Sequence, residues 1–215
     1  MFALPKQNTA EAIKDLQTAI DLNPTHISWY QLTLEPNTVF YKYPPPLPSD
    51  DHISEIQTAG QKLLAEHGYQ QYEVSAYAKP NKQCQHNLNY WQFGDYLGIG
   101  AGAHGKITDL TNGKIHRTQK FKVPMAYMTK LNDPNNTIVV NQQDIIFEFM
   151  LNALRLQQDL DFALFTERTD LSVDLLMPIL AHAKQKGFIE YSNRALHILP
   201  LGRQYLNDLV MLFLP

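Results

Sequence analysis

The residues best suited to chemistry lie together near the middle of the chain. Cys84, His86, Tyr90 and Trp91 place a thiol, an imidazole and two aromatic rings within eight residues. Imidazole and thiolate are common axial ligands of haem iron, and aromatic rings can pack against a porphyrin. A histidine beside Asn87 in a loop can equally serve as a hydrogen-bonding group. The residues alone therefore leave a haem ligand and a structural histidine as alternatives.

A glycine-rich segment, GIGAGAHG, follows at residues 98–105. Glycine lets a backbone approach the pyrophosphate of a dinucleotide, but that fingerprint needs a following helix and an acid about 20 residues on. Here the sequence predicts a hairpin next, and Asp109 is too near. The pattern favours a structural loop, or a loop that lies against a flat ring at the carboxyl end of a barrel strand.

Composition excludes several classes of function. With 215 residues and 44% hydrophobic content, the chain is expected to fold around a core. Its net charge of -3 supplies no basic field for nucleic acid. One cysteine excludes an intrachain disulfide framework and a CxxC-type metal site made by this chain alone, and it fits a cytoplasmic location. No apolar run reaches the ~20 residues of a membrane span, and the first residues do not resemble a signal peptide.

Hydrophobic periodicity predicts an α/β arrangement at the amino-terminal end. Residues 2–4 predict the end of a strand, residues 10–22 an amphipathic helix, and residues 26–34 a strand buried on both faces. Asn8 or Thr9 can cap this helix. The order strand, helix, strand favours a parallel pair of strands joined by a crossover helix. The prolines at 43–48 predict a stiff, extended loop.

A second helix and a third strand are predicted after the proline-rich loop. Ser49 or Asp50 can cap a helix that Gly68 closes. Residues 69–78 predict a strand with alternating burial. No regular periodicity is found at residues 79–105, which favours a functional loop region.

The remaining residues predict a hairpin, a connector and a helical tail. The hairpin covers residues 106–122 and turns at Thr111-Asn112-Gly113, and residues 125–141 form a turn-rich connector. The tail is predicted to contain helices at 144–158, 172–186 and 201–214, with a two-stranded ribbon at 188–199. Helices followed by a β ribbon are typical of a winged-helix-like module. Nine acids against six bases in residues 142–215 argue against DNA binding.

The string CQHNLNYWQFGDYLGIGAGAHG closely resembles the HemW family of haem chaperones, relatives of the oxygen-independent coproporphyrinogen III oxidases in the radical SAM superfamily. Its HNLNYW segment, residues 86–91, matches the family's HNxxYW motif. Further similar segments are FALPKQ at 2–7, HISWYQLTLEPNT at 26–38, YEVSAYAKP at 72–80 and the tail at 144–214. The resemblance covers essentially all of this chain.

The resemblance implies a fold and a truncation. It implies the carboxyl-terminal part of a partial (β/α)6 TIM-like barrel over residues 1–125, a connector over 126–141, and a small winged-helix-like, mainly α domain over 142–215. Family members hold a [4Fe-4S] cluster through CxxxCxxC, and S-adenosyl-L-methionine, in an earlier half of the barrel. This chain has one cysteine, so the resemblance implies a carboxyl-terminal fragment without radical catalysis of its own. Ala3 and Lys6 stand where many members have glycine.

The resemblance also implies roles for particular residues. His86 would ligate haem iron, and Asn87, Tyr90 and Trp91 would shape the haem site. A second set would line the S-adenosylmethionine or substrate cavity: Thr33, Gly100, Gly102 and His104.

The implied function is that of a cytoplasmic haem chaperone, which binds haem and transfers it to haem-accepting proteins. One alternative is part of an oxygen-independent coproporphyrinogen III oxidase of porphyrin biosynthesis, although HNxxYW favours the chaperone branch. The other is a stand-alone interaction module built on the winged-helix-like tail. A barrel cut at its fifth strand would expose an unpaired edge, which predicts self-association.

Overall fold

The computed structural model describes residues 1–130 and 137–215. The chain divides into two compact units, Met1–Gln85 and His86–Pro215, and each has its own hydrophobic core. The domain limits suggested by the sequence lie elsewhere and stay predictions. Within the described residues, no helix is long and apolar enough to cross a membrane.

The first unit alternates helices with short strands. In chain order these are α1 (Thr9–Asp21), β1 (His26–Ser28), α2 (Val39–Lys42), α3 (Asp50–Glu66), β2 (Gln70–Glu73) and β3 (Ala76–Ala78). The strands form an antiparallel sheet in the order β1-β3-β2. The proline-rich segment at 43–48 has no regular structure, as predicted.

Both long helices of this unit begin at the predicted caps. The Asn8 side chain accepts from the amide of Glu11, and the Glu11 carboxylate accepts from the amide of Asn8, which is a capping box. Ser49 caps α3, and Gly68 follows its end with φ +80°. Gly60 of α3 packs so closely on Trp29 that a Cβ there would lie 1.9 Å from the ring.

The predicted parallel pairing is present as a single bridge between Phe2 and Gln31. The amide of Phe2 donates to the carbonyl of Tyr30 at 2.8 Å, and the amide of Leu32 donates to the carbonyl of Phe2 at 2.9 Å. The strand predicted at 26–34 is wrong in length, because regular pairing ends at Ser28. It is also not buried on both faces, because only Ile27 and Trp29 of these residues are buried.

Residues 69–78 were also predicted wrongly as one strand. The chain reverses between Glu73 and Ala76, so β2 and β3 form a tight antiparallel hairpin. The Glu73 carboxylate accepts from the amide of Ser75 at 3.0 Å and stabilises this turn. Alternation of apolar residues continues through such a turn, which is why periodicity did not reveal it.

The second unit contains two small sheets and several helices. In chain order the elements are α4 (Gln85–Trp91), which begins one residue before the unit, β4 (His104–Thr108), β5 (Ile115–Gln119), α5 (Pro124–Thr129), β6 (Thr137–Val139), α6 (Gln142–Ala153), β7 (Leu160–Asp161), α7 (Phe162–Thr169), α8 (Met177–Gln185), β8 (Ile189–Tyr191), β9 (Ala195–Ile198), α9 (Pro200–Gln204) and α10 (Leu206–Met211). The sheet orders are β4-β5-β6 and β7-β9-β8, all antiparallel.

Several predictions for this unit are confirmed and several are wrong. The hairpin forms, with Gly113 at φ +69° in its turn, and the tail ribbon pairs Ile189 with Ile198. The segment at 79–105 was expected to lack regular structure, yet it contains α4. The helix α7 was not predicted, and the final helix is two helices separated at Tyr205.

The predicted connector at 125–141 contains regular structure at both ends. Helix α5 begins with Pro124 in its first turn, and β6 pairs with β5. Residues 131–136 of that prediction lie outside the described residues. The connector thus supplies the third strand of a sheet.

Candidate functional site

The HNxxYW motif forms the short helix α4. His86 and Tyr90 are four residues apart, so their side chains project from the same face. Their rings meet edge to face with centroids 4.8 Å apart. The motif spacing therefore follows from helical geometry, in which the tyrosine supports one side of the imidazole.

His86 is exposed. No hydrogen bond to its ring is found among the described residues. The ring contacts that of Tyr90. The imidazole nitrogens are therefore free to bind a metal that approaches from solvent. Within the described part of the chain, no cluster of three or more His, Cys, Asp or Glu residues could hold a metal ion. A group that brings its own equatorial ligands, as haem does, fits this single imidazole.

An aromatic and ionic chain continues from Tyr90 to α6. The Tyr90 and Tyr96 rings lie 4.5 Å apart. Arg117 donates through an Nη to the Tyr96 hydroxyl at 2.7 Å. Its Nε and other Nη donate to Glu148 at 2.9 and 2.5 Å. Residues from α4, β5 and α6 thus fix the orientation of the Tyr90 ring.

Trp91 lies on a different side of α4. The Arg155 guanidinium stacks over its ring, 4.3 Å from the centroid. The indole Nε1 is buried without a hydrogen-bond partner among the described residues. Stacking on a planar cation favours a fixed ring orientation, so Trp91 anchors the helix to the tail of the unit.

A buried lysine secures the end of α4. The Lys106 side chain is 2% exposed, and its Nζ donates to the Phe93 carbonyl at 3.0 Å and to the Asp95 carboxylate at 2.7 Å. Asp95 also accepts from the amide and hydroxyl of Thr108, at 2.7 and 2.9 Å. The ammonium lies 4.3 Å from the Phe93 ring centroid. One cation thus joins the helix end, the following loop and β4.

Burial and ion pairing shift the pKa values of Lys106 and Asp95. Desolvation lowers the pKa of Lys106, and the Asp95 carboxylate offsets part of that effect. Desolvation alone would raise the pKa of Asp95, but hydrogen bonds from Lys106 and Thr108 outweigh it and the pKa is lowered. Each group thus favours the charged form of the other.

Lys106 and Arg117 are directly opposed on β4 and β5. Like charges in that position repel each other, and Arg117 contributes to lowering the pKa of Lys106. Each cation is balanced by a carboxylate from a different element, Asp95 for Lys106 and Glu148 for Arg117. The two ion pairs hold α4 and α6 to the same pair of strands.

The glycine-rich segment is shaped by close backbone contacts. A Cβ on Gly98 would lie 2.3 Å from the carbonyl oxygen of His104. Gly102 has φ +75°, which an L side chain rarely adopts. The amide of Gly100 donates to the Tyr127 hydroxyl at 3.1 Å. These contacts give the segment a structural role, which is the role the residues alone favoured.

The predicted site residues do not all come together. His86 and Tyr90 are in contact, whereas Trp91 packs on Arg155, and Asn87 is half-buried. His104 is exposed at the start of β4. Thr33 is exposed and belongs to the first unit. The assignment of Thr33, Gly100, Gly102 and His104 to one cavity stays a prediction.

Six residues of the site were not identified from the sequence: Asp95, Tyr96, Lys106, Arg117, Glu148 and Arg155. The carboxylate partners of Lys106 and Arg117 lie 11 and 31 residues away in the sequence. The register of β4 and β5 places the two cations opposite each other. Tyr96 alone carried a signal, since it follows the motif by five residues and is aromatic.

The donor set does not fit an iron-sulfur cluster, for which four thiolates are the usual ligands. Cys84 is the single cysteine of the chain. No step of radical chemistry is therefore assigned to these residues.

Comparison with known proteins gives consistent results. The family model of the HemN C-terminal domain matches residues 140–205. Heme chaperone HemW of Escherichia coli K12 is 46% identical over 219 residues, which covers all of this chain and 56% of that protein. Heme chaperone HemW of Bacillus subtilis 168 is 30% identical over 220 residues, again across the whole chain and 57% of the relative. The chain thus spans little more than half the length of these curated relatives.

A solved structure shows the same fold. Coproporphyrinogen III oxidase (HemN) from Escherichia coli, a radical SAM enzyme, matches 99% of this chain and 53% of its own length with a TM-score of 0.73. The identity is 20%, so this likeness concerns the fold alone. It confirms the predicted α/β class. The HNxxYW helix and the whole-chain similarity to curated relatives lead to the conclusion that this chain belongs to the HemW family.

Proposed function

We propose that this chain binds haem through His86 and is part of a protein that passes haem to haem-accepting proteins. The observation that carries the proposal is the exposed His86 imidazole, which has no hydrogen bond among the described residues and is supported by the Tyr90 ring at 4.8 Å. Haem supplies four equatorial nitrogens and needs an axial ligand from the protein, which this arrangement offers. The relatives named as heme chaperones agree with it.

In the whole protein, S-adenosyl-L-methionine and a [4Fe-4S] cluster would be held by residues outside this chain. The residues of this chain would bind and orient the haem. His86 would ligate the iron, and Tyr90 would limit rotation of the imidazole. Trp91 would keep α4 in place through Arg155.

A haem titration of the 215-residue chain, followed by the Soret band, tests the binding step. We expect saturable one-to-one binding by the wild type and at least about 10-fold weaker binding by His86→Ala, because an axial bond is lost. His182→Ala is the matched control, since His182 is also exposed and lies on α8. Equal binding by all three proteins would contradict the assignment of His86.

The transfer step needs a separate measurement. Haem-loaded chain is mixed with apomyoglobin, and the Soret spectrum of the acceptor is followed with time. We expect transfer to be faster from His86→Ala than from the wild type, because the axial bond must break before haem leaves. Identical transfer rates would show that His86 does not hold the haem.

A further inference from the structure

A cavity of about 430 Å³ lies within the second unit. Its polar lining comes from the loop after α4, from β4 and β5, and from α6: Tyr96, His104, Arg117, Thr118, Gln119 and Glu148. A cavity of this size is in the range of small-molecule sites.

Strand register explains why these side chains converge. His104 and Gln119 are directly opposed on β4 and β5, and Arg117 is opposed to Lys106 two positions further along. Residues that are opposed, or that are two apart on one strand, project to the same face of a sheet. His104, Gln119 and Arg117 therefore line one wall.

Hydrogen-bond donors exceed acceptors on this wall. Arg117 has five N–H groups, of which two are directed at Glu148 and one at the Tyr96 hydroxyl. The Glu148 charge is thereby paired. The side chains of His104 and Gln119 make no hydrogen bond to any described residue, and both are exposed. An imidazole N–H, an amide and the remaining guanidinium N–H groups are thus available to an oxygen anion.

The cavity is joined to the candidate haem ligand through two aromatic contacts. Tyr96 lines the cavity and packs at a tilt against the Tyr90 ring, which in turn contacts His86. Haem carries its two carboxylates at its periphery, several ångströms from the iron. A ligand held at His86 could therefore extend its periphery beyond Tyr90 toward the cavity.

We propose that this cavity binds a carboxylate side chain of the tetrapyrrole whose iron His86 ligates. The inference rests on the proposed function and adds a second point of recognition to it. Iron ligation alone would accept any iron porphyrin, whereas a carboxylate site selects tetrapyrroles with acidic side chains and fixes the orientation of the macrocycle.

The test compares haem with haem dimethyl ester, which lacks the carboxylate charges. Both are titrated into the 215-residue chain, into the double variant His104→Ala/Gln119→Ala and into the control His182→Ala/Gln185→Ala. The control removes an exposed histidine and glutamine from α8. We expect the wild type and the control to bind haem about 10-fold more tightly than the ester, because hydrogen bonds to a charged group are lost. The cavity variant should bind both ligands alike, as tightly as the wild type binds the ester.

Equal affinity of the wild type for haem and its ester would overturn the proposal. The same holds if the cavity variant loses affinity for both ligands by the same factor. Far-ultraviolet circular dichroism of each variant shows whether it is folded. If the cavity variant is unfolded, Gln119→Glu is used instead. Repulsion between carboxylates should then weaken the binding of haem and leave the binding of the ester unchanged.

Metal-free protoporphyrin and its dimethyl ester separate this inference from the proposed function, because they need no axial ligand. If the wild type binds no haem at His86, the proposed function fails. The cavity assignment survives that result only if the metal-free acid binds more tightly than its ester and loses this advantage in the cavity variant.

Discussion

At the level of single residues, the Asp95–Lys106 pair places a charge in the interior of the candidate site. The Lys106 side chain is 2% exposed, whereas the Asp95 side chain is 39% exposed. Removing one member of a buried ion pair leaves the other charge without compensation. The carboxylate is the member to remove, because the remaining lysine cannot reach solvent.

Asp95→Asn should lower the free energy of unfolding by about 3 kcal/mol at neutral pH. The asparagine resembles the protonated acid, so the difference from the wild type should depend on pH. Because the folded pKa of Asp95 is depressed, its stabilisation is fully present above the unfolded pKa of about 3.9 and is lost as the pH falls through the lower folded value. Urea unfolding of both proteins between pH 2 and 7 measures this.

Asp208→Asn is the control for that titration, because Asp208 is exposed on α10. It should change stability by no more than about 0.5 kcal/mol at any pH. If the free energies of unfolding of the wild type and Asp95→Asn differ by the same amount from pH 2 to 7, the carboxylate does not titrate as a partner of Lys106.

Backbone conformation explains a second single-residue feature. Ala3 and Lys6 have φ values of 58° and 61°, in the left-handed region where L residues are strained. Glycine adopts this region without strain. Both positions are therefore occupied by a residue less suited to the backbone conformation than glycine.

Lys6→Gly should raise the free energy of unfolding by about 1 kcal/mol, because relief of the left-handed strain exceeds the entropy that glycine adds to the unfolded chain. Lys6 is exposed, so no packing is lost. Lys14→Gly, in the middle of α1, should instead lower it by about 1 kcal/mol. Thermal unfolding of the three proteins is the measurement, and equal effects at both positions would contradict the conformational account.

At the level of elements, Arg203 of α9 closes the end of α6. Its guanidinium donates to the carbonyls of Leu154, Leu156 and Gln157 at 3.2, 2.7 and 3.1 Å. These three carbonyls belong to the residues directly after α6. The hydrogen bonds within a helix do not extend to carbonyls beyond its end, so they need other donors. Burial lowers the pKa of Arg203, although the group remains charged at neutral pH.

Arg203→Met should lower the free energy of unfolding by about 2 kcal/mol, since it leaves these carbonyls without donors. Arg203→Lys should recover part of the loss, because an ammonium cannot match the planar set of donors. Arg194→Met, at a side chain that is 84% exposed, is the control. Chemical denaturation would contradict this role if the methionine variants at 203 and 194 were equally stable.

Periodicity and caps identified the elements that pack by one apolar face. Helices α1 and α3 begin at the residues that the sequence indicated, Asn8 and Ser49. Helix α4 was missed because none of its residues is buried, so no apolar stripe identifies it. It is fixed by Lys106 and Arg155, which are distant in sequence, and by Tyr96, five residues after the motif. The spacing of four residues predicts the contact between His86 and Tyr90 once the segment is known to be helical.

At the level of the whole molecule, the second unit joins the motif to the tail. Its core combines Phe93 and Ile115 with the helices of the tail, and the Phe93 and Phe149 rings lie 5.6 Å apart. The domain boundary that the sequence suggests at residue 142 marks where long helices begin. The hydrophobic core of the second unit extends beyond it, to Phe93 and Ile115.

Residues 86–215 expressed alone should therefore unfold cooperatively, whereas residues 142–215 alone should be less stable because Phe93 and Ile115 are missing from their core. Calorimetry and proton NMR of the two segments measure this. A 142–215 segment as stable as 86–215 would instead support the boundary that the sequence suggested.

The chain has two tryptophans, and they fall in different units. Trp29 is buried in the first core against Phe2, at 4.3 Å between ring centroids, whereas Trp91 lies on the motif helix beneath Arg155. Replacing Trp29 with phenylalanine leaves the indole of the HNxxYW helix as the sole tryptophan emitter. Fluorescence of that variant would report ligand arrival at α4 directly through quenching, without a label and without interference from the first unit.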